Sequence, residues 1–207
     1  MKRLFVTGIG TDVGKTMVAA IITEALAADY WKPVQAGNLD FSDTDRVKEL
    51  VTNTQSYFHP ETYRFKLPAS PHLAAAVENI TINPSLFNLP ETQNHLIIEG
   101  AGGLMVPLND HFLIIDLIAQ LQAEVILVSQ NYLGSINHTL LSVQSLRQRQ
   151  IPVKGIIFNG PPTPASEDYI TGYSGIPKLG ALLPETEINP AVVKQYAAQW
   201  KAFLRWI

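Results

Sequence analysis

Cysteine is absent from the sequence, which excludes disulfides and thiolate metal sites. Positive charge is not in surplus either. Fifteen basic residues face 18 acidic ones for a net charge of −3, so little is available to displace counterions from DNA or RNA. No apolar run approaches the ~18 residues of a membrane span. The chain opens Met1-Lys2-Arg3 and runs straight into apolar residues, without an h-region or small-residue cleavage site. The expectation is a cytoplasmic protein that binds neither nucleic acid nor membrane. The five histidines, His59, His72, His95, His111 and His138, are scattered without metal-ligand spacing. Repeats, linkers and low-complexity segments are missing as well. Hydrophobic residues make up 46% and charged ones 16% of 207 residues, an ordinary globular balance. That length suits one domain spanning 1–207, large enough to bury a full core.

What is present is alternation. Apolar, β-branched runs at 3–7, 31–35, 95–99, 124–129, 153–158 and 178–183 read as strands buried on both faces of a parallel sheet. Helical patterns fall between them, at 14–28, 112–121, 135–149 and 189–206, the last behind the cap-and-first-turn pair Asn189-Pro190. Residues 53–94, rich in Pro, Asn and Thr, form the least regular part and read as an excursion near the active face. The pattern predicts a three-layer, doubly wound, mostly parallel α/β fold.

Directly behind the first strand stands GIGTDVGKT, residues 8–16. The common phosphate-loop spacing G-x-x-x-x-G-K-[ST] would put a glycine at position 9, where the chain has Ile9. Gly8 comes one residue early, so this loop is one residue longer than the common form. A strand before it and an amphipathic helix after it favour a phosphate cradle over a plain turn. Backbone N–H groups and a helix N-terminus would then face the anion. Lys15 would reach the β- and γ-phosphates, and the Thr16 hydroxyl would bind Mg²⁺. Guanine recognition is disfavoured, because no Asn-Lys-x-Asp follows.

A Mg²⁺–phosphate site needs further hard oxygen ligands. Asp43, in DFSDTD (40–45), starts a helical pattern and serves either as a ligand or as a helix cap. Glu99, in HLIIEGAGG (95–103), stands at a strand's carboxyl end, where α/β sheets bind ligands. The glycines behind it have no evident packing purpose. Lys32, in WKPVQAG (31–37), begins a strand and either meets an anion or snorkels at an edge. In NYLGSINHTLL (131–141), Gly134, Ser135 and Asn137 open a helix, as an anion site or by simple capping of Ser135.

Together the stretches FVTGIGTDVGKT, KPVQAG, SDT, SPHLAAA, EGAGGLMVPL, LGSINHTLL and GIIFNG resemble the dethiobiotin synthetases, ATP-dependent P-loop enzymes. They occur in that family's order and cover most of the chain, and the longer loop is the family's own form. The resemblance implies a ligase that closes the ureido ring of 7,8-diaminononanoate with CO₂, ATP and Mg²⁺, as a homodimer. It implies that Thr11, Asp12, Val13, Gly14, Lys15 and Thr16 wrap the phosphates. Thr11, Lys15 and Lys32 would act on the transferring group, and Thr16, Asp43 and Glu99 would hold the metal. Gly100, Ala101 and Gly102 would line the nucleotide. Asn159 and Gly160 would meet the adenine, with Leu183 and Pro184 closing over it. Lys32 and Ala36 would face the diamine, whose carboxylate would be received by Gly134, Ser135 and Asn137 of the neighbouring subunit. Two departures stand out. Ala36 occupies a place where the family usually carries a hydroxyl, and the base-closing segment reads Gly180-Ala-Leu-Leu-Pro, with its proline one place late. The rivals are a switch ATPase of the partitioning or cluster-assembly type and a non-catalytic nucleotide module. The first usually carries a second lysine early in its loop, where this chain has Ile9, Gly10 and Thr11.

Overall fold

The structure is a computed structural model and describes residues 1–204. The chain runs β1 (Arg3–Gly8), α1 (Lys15–Leu26), β2 (Asp29–Trp31), β3 (Val34–Ala36), α2 (Asp43–Leu50), β4 (Phe58–His59), β5 (Tyr63–Phe65), α3 (Pro71–Val77), β6 (Leu96–Gly103), β7 (Pro107–Asn109) and β8 (Phe112–Leu113). It continues with α4 (Ile114–Gln120), β9 (Glu124–Gln130), α5 (Ser135–Gln148), β10 (Val153–Asn159), α6 (Pro164–Ser174), β11 (Lys178–Leu182) and α7 (Pro190–Leu204). Seven strands form the central sheet in the order β11-β10-β9-β1-β6-β2-β4, and all their pairings are parallel. β1 lies where the strand order reverses, so its carboxyl end opens onto the crevice that doubly wound sheets use for ligands.

The all-apolar strands feed two cores because successive side chains leave a strand on opposite faces. Leu4, Val6, Ile97, Ile126 and Ile157 pack with α1 and α7, whereas Phe5, Ile98, Leu127 and Phe158 pack with the helices of the other face. Each such burial contributes roughly 1.5–3 kcal/mol, and the two layers of helix around the sheet give the expected three-layer sandwich. α7 begins where expected, with the Asn189 side chain accepting from the Val192 N–H at 3.1 Å. The part of that expected helix at 205–206 lies outside the described residues. No helix among the described residues is long and apolar enough to cross a membrane.

Three details differ from the sequence reading. The expected strand 31–35 is split, because Pro33 has no N–H to continue the ladder. β2 therefore ends at Trp31, and β3 pairs instead with β5 in a separate two-stranded sheet. The irregular stretch 53–94 supplies an edge strand, β4, beside β2. The apolar pattern at 112–121 starts as strand β8, antiparallel to β7, and turns helical only at Ile114. Helices α3 and α6 also carry no clear periodic signal in the sequence.

Candidate active site

Beyond β1 the chain turns through residues 9–14 before α1 starts. Gly14 caps α1 with φ 93°, a left-handed conformation that other residues adopt only at a cost. Asn159, at the end of β10, donates its amide to the Val13 carbonyl at 2.9 Å and so ties the loop to a strand two places away. Lys15 folds back over its own loop, its Nζ donating to the Gly10 carbonyl at 2.8 Å. Burial, seconded by the Lys32 ammonium, brings its pKa down to about 8 against the opposing pull of Glu99. A buried ammonium at the mouth of such a loop favours an anion beside it.

The parallel register sets Tyr30 beside Ile97 and Trp31 beside Ile98, so Lys32, just past the end of β2, meets Glu99. Glu99 lies within β6 and not at its carboxyl end as expected, because that strand runs on to Gly103. Lys32 thus stands at the carboxyl end of a strand, not at the beginning of one. It is 4% exposed, which removes the snorkelling alternative. Its Nζ lies 3.0 Å from Glu99 Oε1 and 2.5 Å from Asp43 Oδ2. Burial alone would lower its pKa, but the two carboxylates outweigh burial and hold it above the ordinary lysine value. Glu99 is 1% exposed. Its Oε1 also accepts from the Thr16 hydroxyl at 2.8 Å, and its Oε2 accepts from the Tyr30 hydroxyl at 2.8 Å.

Asp43 is not the cap of α2. Ser42 caps that helix in a capping box with Asp45, which leaves the Asp43 carboxylate free for Lys32. The glycines behind Glu99 do have a packing purpose. A side chain at Gly100 would bring its Cβ to 2.8 Å from the Phe5 ring.

A cleft of about 750 Å³ opens over this cluster. It gathers Thr11, Asp12, Gly14, Lys15 and Thr16 of the loop, together with Lys32, Asp43, Glu99, Ala36 and residues 100–102. Val13 is buried beneath the loop. Asn159, Gly160, Leu183 and Pro184 are not part of this cleft, and neither are Gly134, Ser135 and Asn137. Gly134 caps α5 with φ 105°, and Ser135 makes no side-chain cap. Asn137 lines a separate groove of about 380 Å³ between α5 and α6.

The donor set fits magnesium. Asp43 and Glu99 offer hard oxygens around a buried cation, Lys32, which shows that the spot accommodates positive charge, and the Thr16 hydroxyl lies beside them on Glu99. Among the described residues no group of three His, Asp or Glu could hold a metal ion by itself, so an ion here would have to take further ligands from water and substrate phosphates. Sequence reasoning missed Tyr30, whose signal is its place two residues before Lys32 on the same strand face. It missed Gln35 too, which accepts from the Asp43 N–H at 3.3 Å. Ser70 lines the cleft at the start of α3 without making a cap bond.

A central parallel sheet, a phosphate-type loop leading into a helix, and two carboxylates beside it, Glu99 on the neighbouring strand β6 and Asp43 at the start of α2, define a P-loop nucleotide-binding protein. The profile of an AAA domain matches residues 2–192. The chain is 52% identical to the ATP-dependent dethiobiotin synthetase BioD of Cytophaga hutchinsonii, over 100% of this chain and 99% of the relative. It is 48% identical to that of Christiangramia forsetii, over 97% and 96%. The cell division ATPase MinD of Pyrococcus furiosus superposes with a TM-score of 0.66 at 14% identity, covering 100% of this chain and 99% of that one. That likeness is one of fold alone. The chain belongs to the ATP-dependent dethiobiotin synthetase family.

Proposed function

We propose that this chain is an ATP- and Mg²⁺-dependent cyclo-ligase that carboxylates 7,8-diaminononanoate with CO₂ and closes the ring to dethiobiotin. Besides family membership, one observation supports the reading most. Two buried ammonium groups, Lys15 on the phosphate loop and Lys32 at the end of β2, share one cleft. Phosphoryl transfer asks a protein mainly for positioning and charge stabilisation, and this is what the cleft offers.

In the proposed cycle one amine of the diamine captures CO₂ as a carbamate and releases a proton. The carbamate oxygen attacks the γ-phosphorus of ATP, ADP leaves, and a carbamic–phosphoric anhydride forms. The second amine then attacks the carbonyl carbon and expels phosphate, closing the ring. The N–H groups of residues 11–16 cradle the phosphates, Lys15 follows the γ-phosphate, and Thr11 faces the transferring group. Lys32 neutralises charge on the carbamate and on the phosphoryl group as it moves. Thr16, Asp43 and Glu99 would hold magnesium, which would supply charge neutralisation on the phosphate oxygens. Gly100, Ala101 and Gly102 form the wall beside the nucleotide.

The Asn159 Nδ2 is engaged with Val13, which leaves Oδ1 to accept from the exocyclic amine of adenine. Gly160, Leu183 and Pro184 would complete that side. Because Gly134, Ser135 and Asn137 stand off this chain's own cleft, we assign them to the diamine carboxylate in the cleft of a second copy, as a homodimer. Ala36 offers the diamine no hydroxyl, and Ser70 is a side chain on the cleft able to take that place. ATP as phosphoryl donor fits a cytoplasmic site of action for a single-domain enzyme. The test is phosphate release with and without diaminononanoate and bicarbonate. Release that requires both is expected, and release indifferent to the diamine would sink the ligase reading in favour of a switch ATPase.

A further inference from the structure

Tyr30 is a buried polar side chain beside the cleft that the mechanism above leaves idle. It is fully buried, packed in the core against α1 and tilted against Phe58 with ring centroids 6.2 Å apart. Phenylalanine would fill the same space without bringing a hydroxyl into the core. A buried hydroxyl needs a partner to offset its desolvation, and this one has Glu99 Oε2 at 2.8 Å. The contact follows from register. Tyr30 pairs with Ile97, so Glu99 is its diagonal neighbour on the same face, within reach of an aromatic side chain.

The two oxygens of Glu99 are thereby divided. Oε1 receives Thr16 and Lys32 from the cleft, and Oε2 receives Tyr30 from the core. We propose that Tyr30 is a positioning residue, which holds the Glu99 carboxylate with one oxygen turned to the cleft and so sets the magnesium affinity of the nucleotide site. Without the phenol, Oε2 is left buried with no donor, which is costly for a charged group. The carboxylate then turns so that both oxygens approach Lys32, and it is less available to a divalent cation. The inference rests on the proposed role of Glu99 as a magnesium ligand. It does not depend on which substrate is carboxylated.

The test is Tyr30→Phe, read by calorimetric binding of ADP, first in EDTA and then along a magnesium titration. Binding in EDTA should match the unaltered protein within about twofold, because the phosphate loop is untouched. The magnesium concentration for half-effect should rise roughly tenfold, within the 10–100-fold range seen when a partner behind a metal ligand is lost. Superimposable magnesium curves would overturn the proposal, and a lowered melting temperature alone would mark Tyr30 as a packing residue. Should Tyr30→Phe fail to fold, the double variant Tyr30→Phe/Glu99→Gln decides. An amide in place of the orphaned carboxylate should restore folding, and a double variant that also fails to fold would show that Tyr30 acts elsewhere than on Glu99. The ligase reading fails separately, by diamine-independent phosphate release in the unaltered protein.

Discussion

Lys32 and Glu99 leave neighbouring parallel strands at the same level, and their charged ends meet 3.0 Å apart beneath the phosphate loop. The same ammonium holds Asp43 of α2 at 2.5 Å, so one cation spans the sheet and the helix beside it. Truncation of Lys32 would leave two carboxylates facing each other, one of them buried. Such a pair repels and invites a divalent cation.

Lys32→Met should therefore lose activity by about 10²–10³-fold, as expected when a charge aimed at a transition state is removed. It should also melt lower in metal-free buffer and gain more melting temperature from added Mg²⁺ than the unaltered protein does. Equal magnesium increments in the two proteins would show that Lys32 does not share its place with the metal.

Lys15 should carry the pH dependence of nucleotide binding. Its pKa of about 8 lies below the ordinary 10.5 because burial disfavours the charged form. Phosphate oxygens favour the ammonium, so binding should take up a proton near pH 8–9, and magnesium-free ADP affinity should fall as pH rises past 8. For stability the sign runs the other way. The unfolded chain keeps its proton up to a higher pH than the folded one, so the cost of burying the charge is relieved between about 8 and 10.5. Titrations at pH 7 and pH 9 check the first expectation, and Lys15→Ala should remove the difference between them.

How much of this was legible in the sequence differs between the loop and the cluster. The phosphate loop is local: strand, turn and helix follow one another, and Gly14, Lys15 and Thr16 are read from spacing alone. The three-layer fold is legible for a similar reason, since buried parallel strands are apolar throughout and stand apart from the helices. The cluster is not local. Lys32 and Glu99 are 67 positions apart and meet only through the pairing of β2 with β6, which Pro33 helps define by ending β2. The capping box of Ser42 frees Asp43, but from sequence Ser42 and Asp43 are equally good caps. Tyr30 reads as one more core aromatic until the register places Glu99 diagonally beside it.

Gly180 offers a test of packing away from the cleft. A Cβ there would lie 2.6 Å from the Trp200 indole nitrogen of α7, in a core where Trp200 is 3% exposed. Gly180→Ala should destabilise the fold by about 1–3 kcal/mol through overpacking. Equilibrium urea unfolding reads this, and a variant as stable as its parent would show that α7 yields without cost. The effect matters beyond stability because β11 leads directly into Leu183 and Pro184, the segment assigned to the adenine side.

The assignment of the α5 turn to a neighbouring subunit makes the most demanding prediction. Gly134 closes the turn that follows β9. The Ser135 N–H is taken by the Tyr132 carbonyl at 3.0 Å, and the next N–H groups of α5, at Ile136 and Asn137, have no acceptor within the helix. Those donors and the helix dipole suit a carboxylate. Asn137→Asp would place a negative charge among them, and the apparent KM for diaminononanoate should rise by about tenfold or more, since like charges disfavour each other at close range. ADP binding should hardly change, because the phosphate loop belongs to a different helix start. Mixing this variant with Lys15→Ala sharpens the test. If each cleft combines the loop of one chain with the turn of the other, a mixed dimer holds one cleft with both lesions and one with neither. Activity should then partly return at low diamine concentration, where each parent alone is nearly inactive. Mixed dimers verified by mass that stay as inactive as their parents would refute the shared cleft, and with it the carboxylate role of Gly134, Ser135 and Asn137.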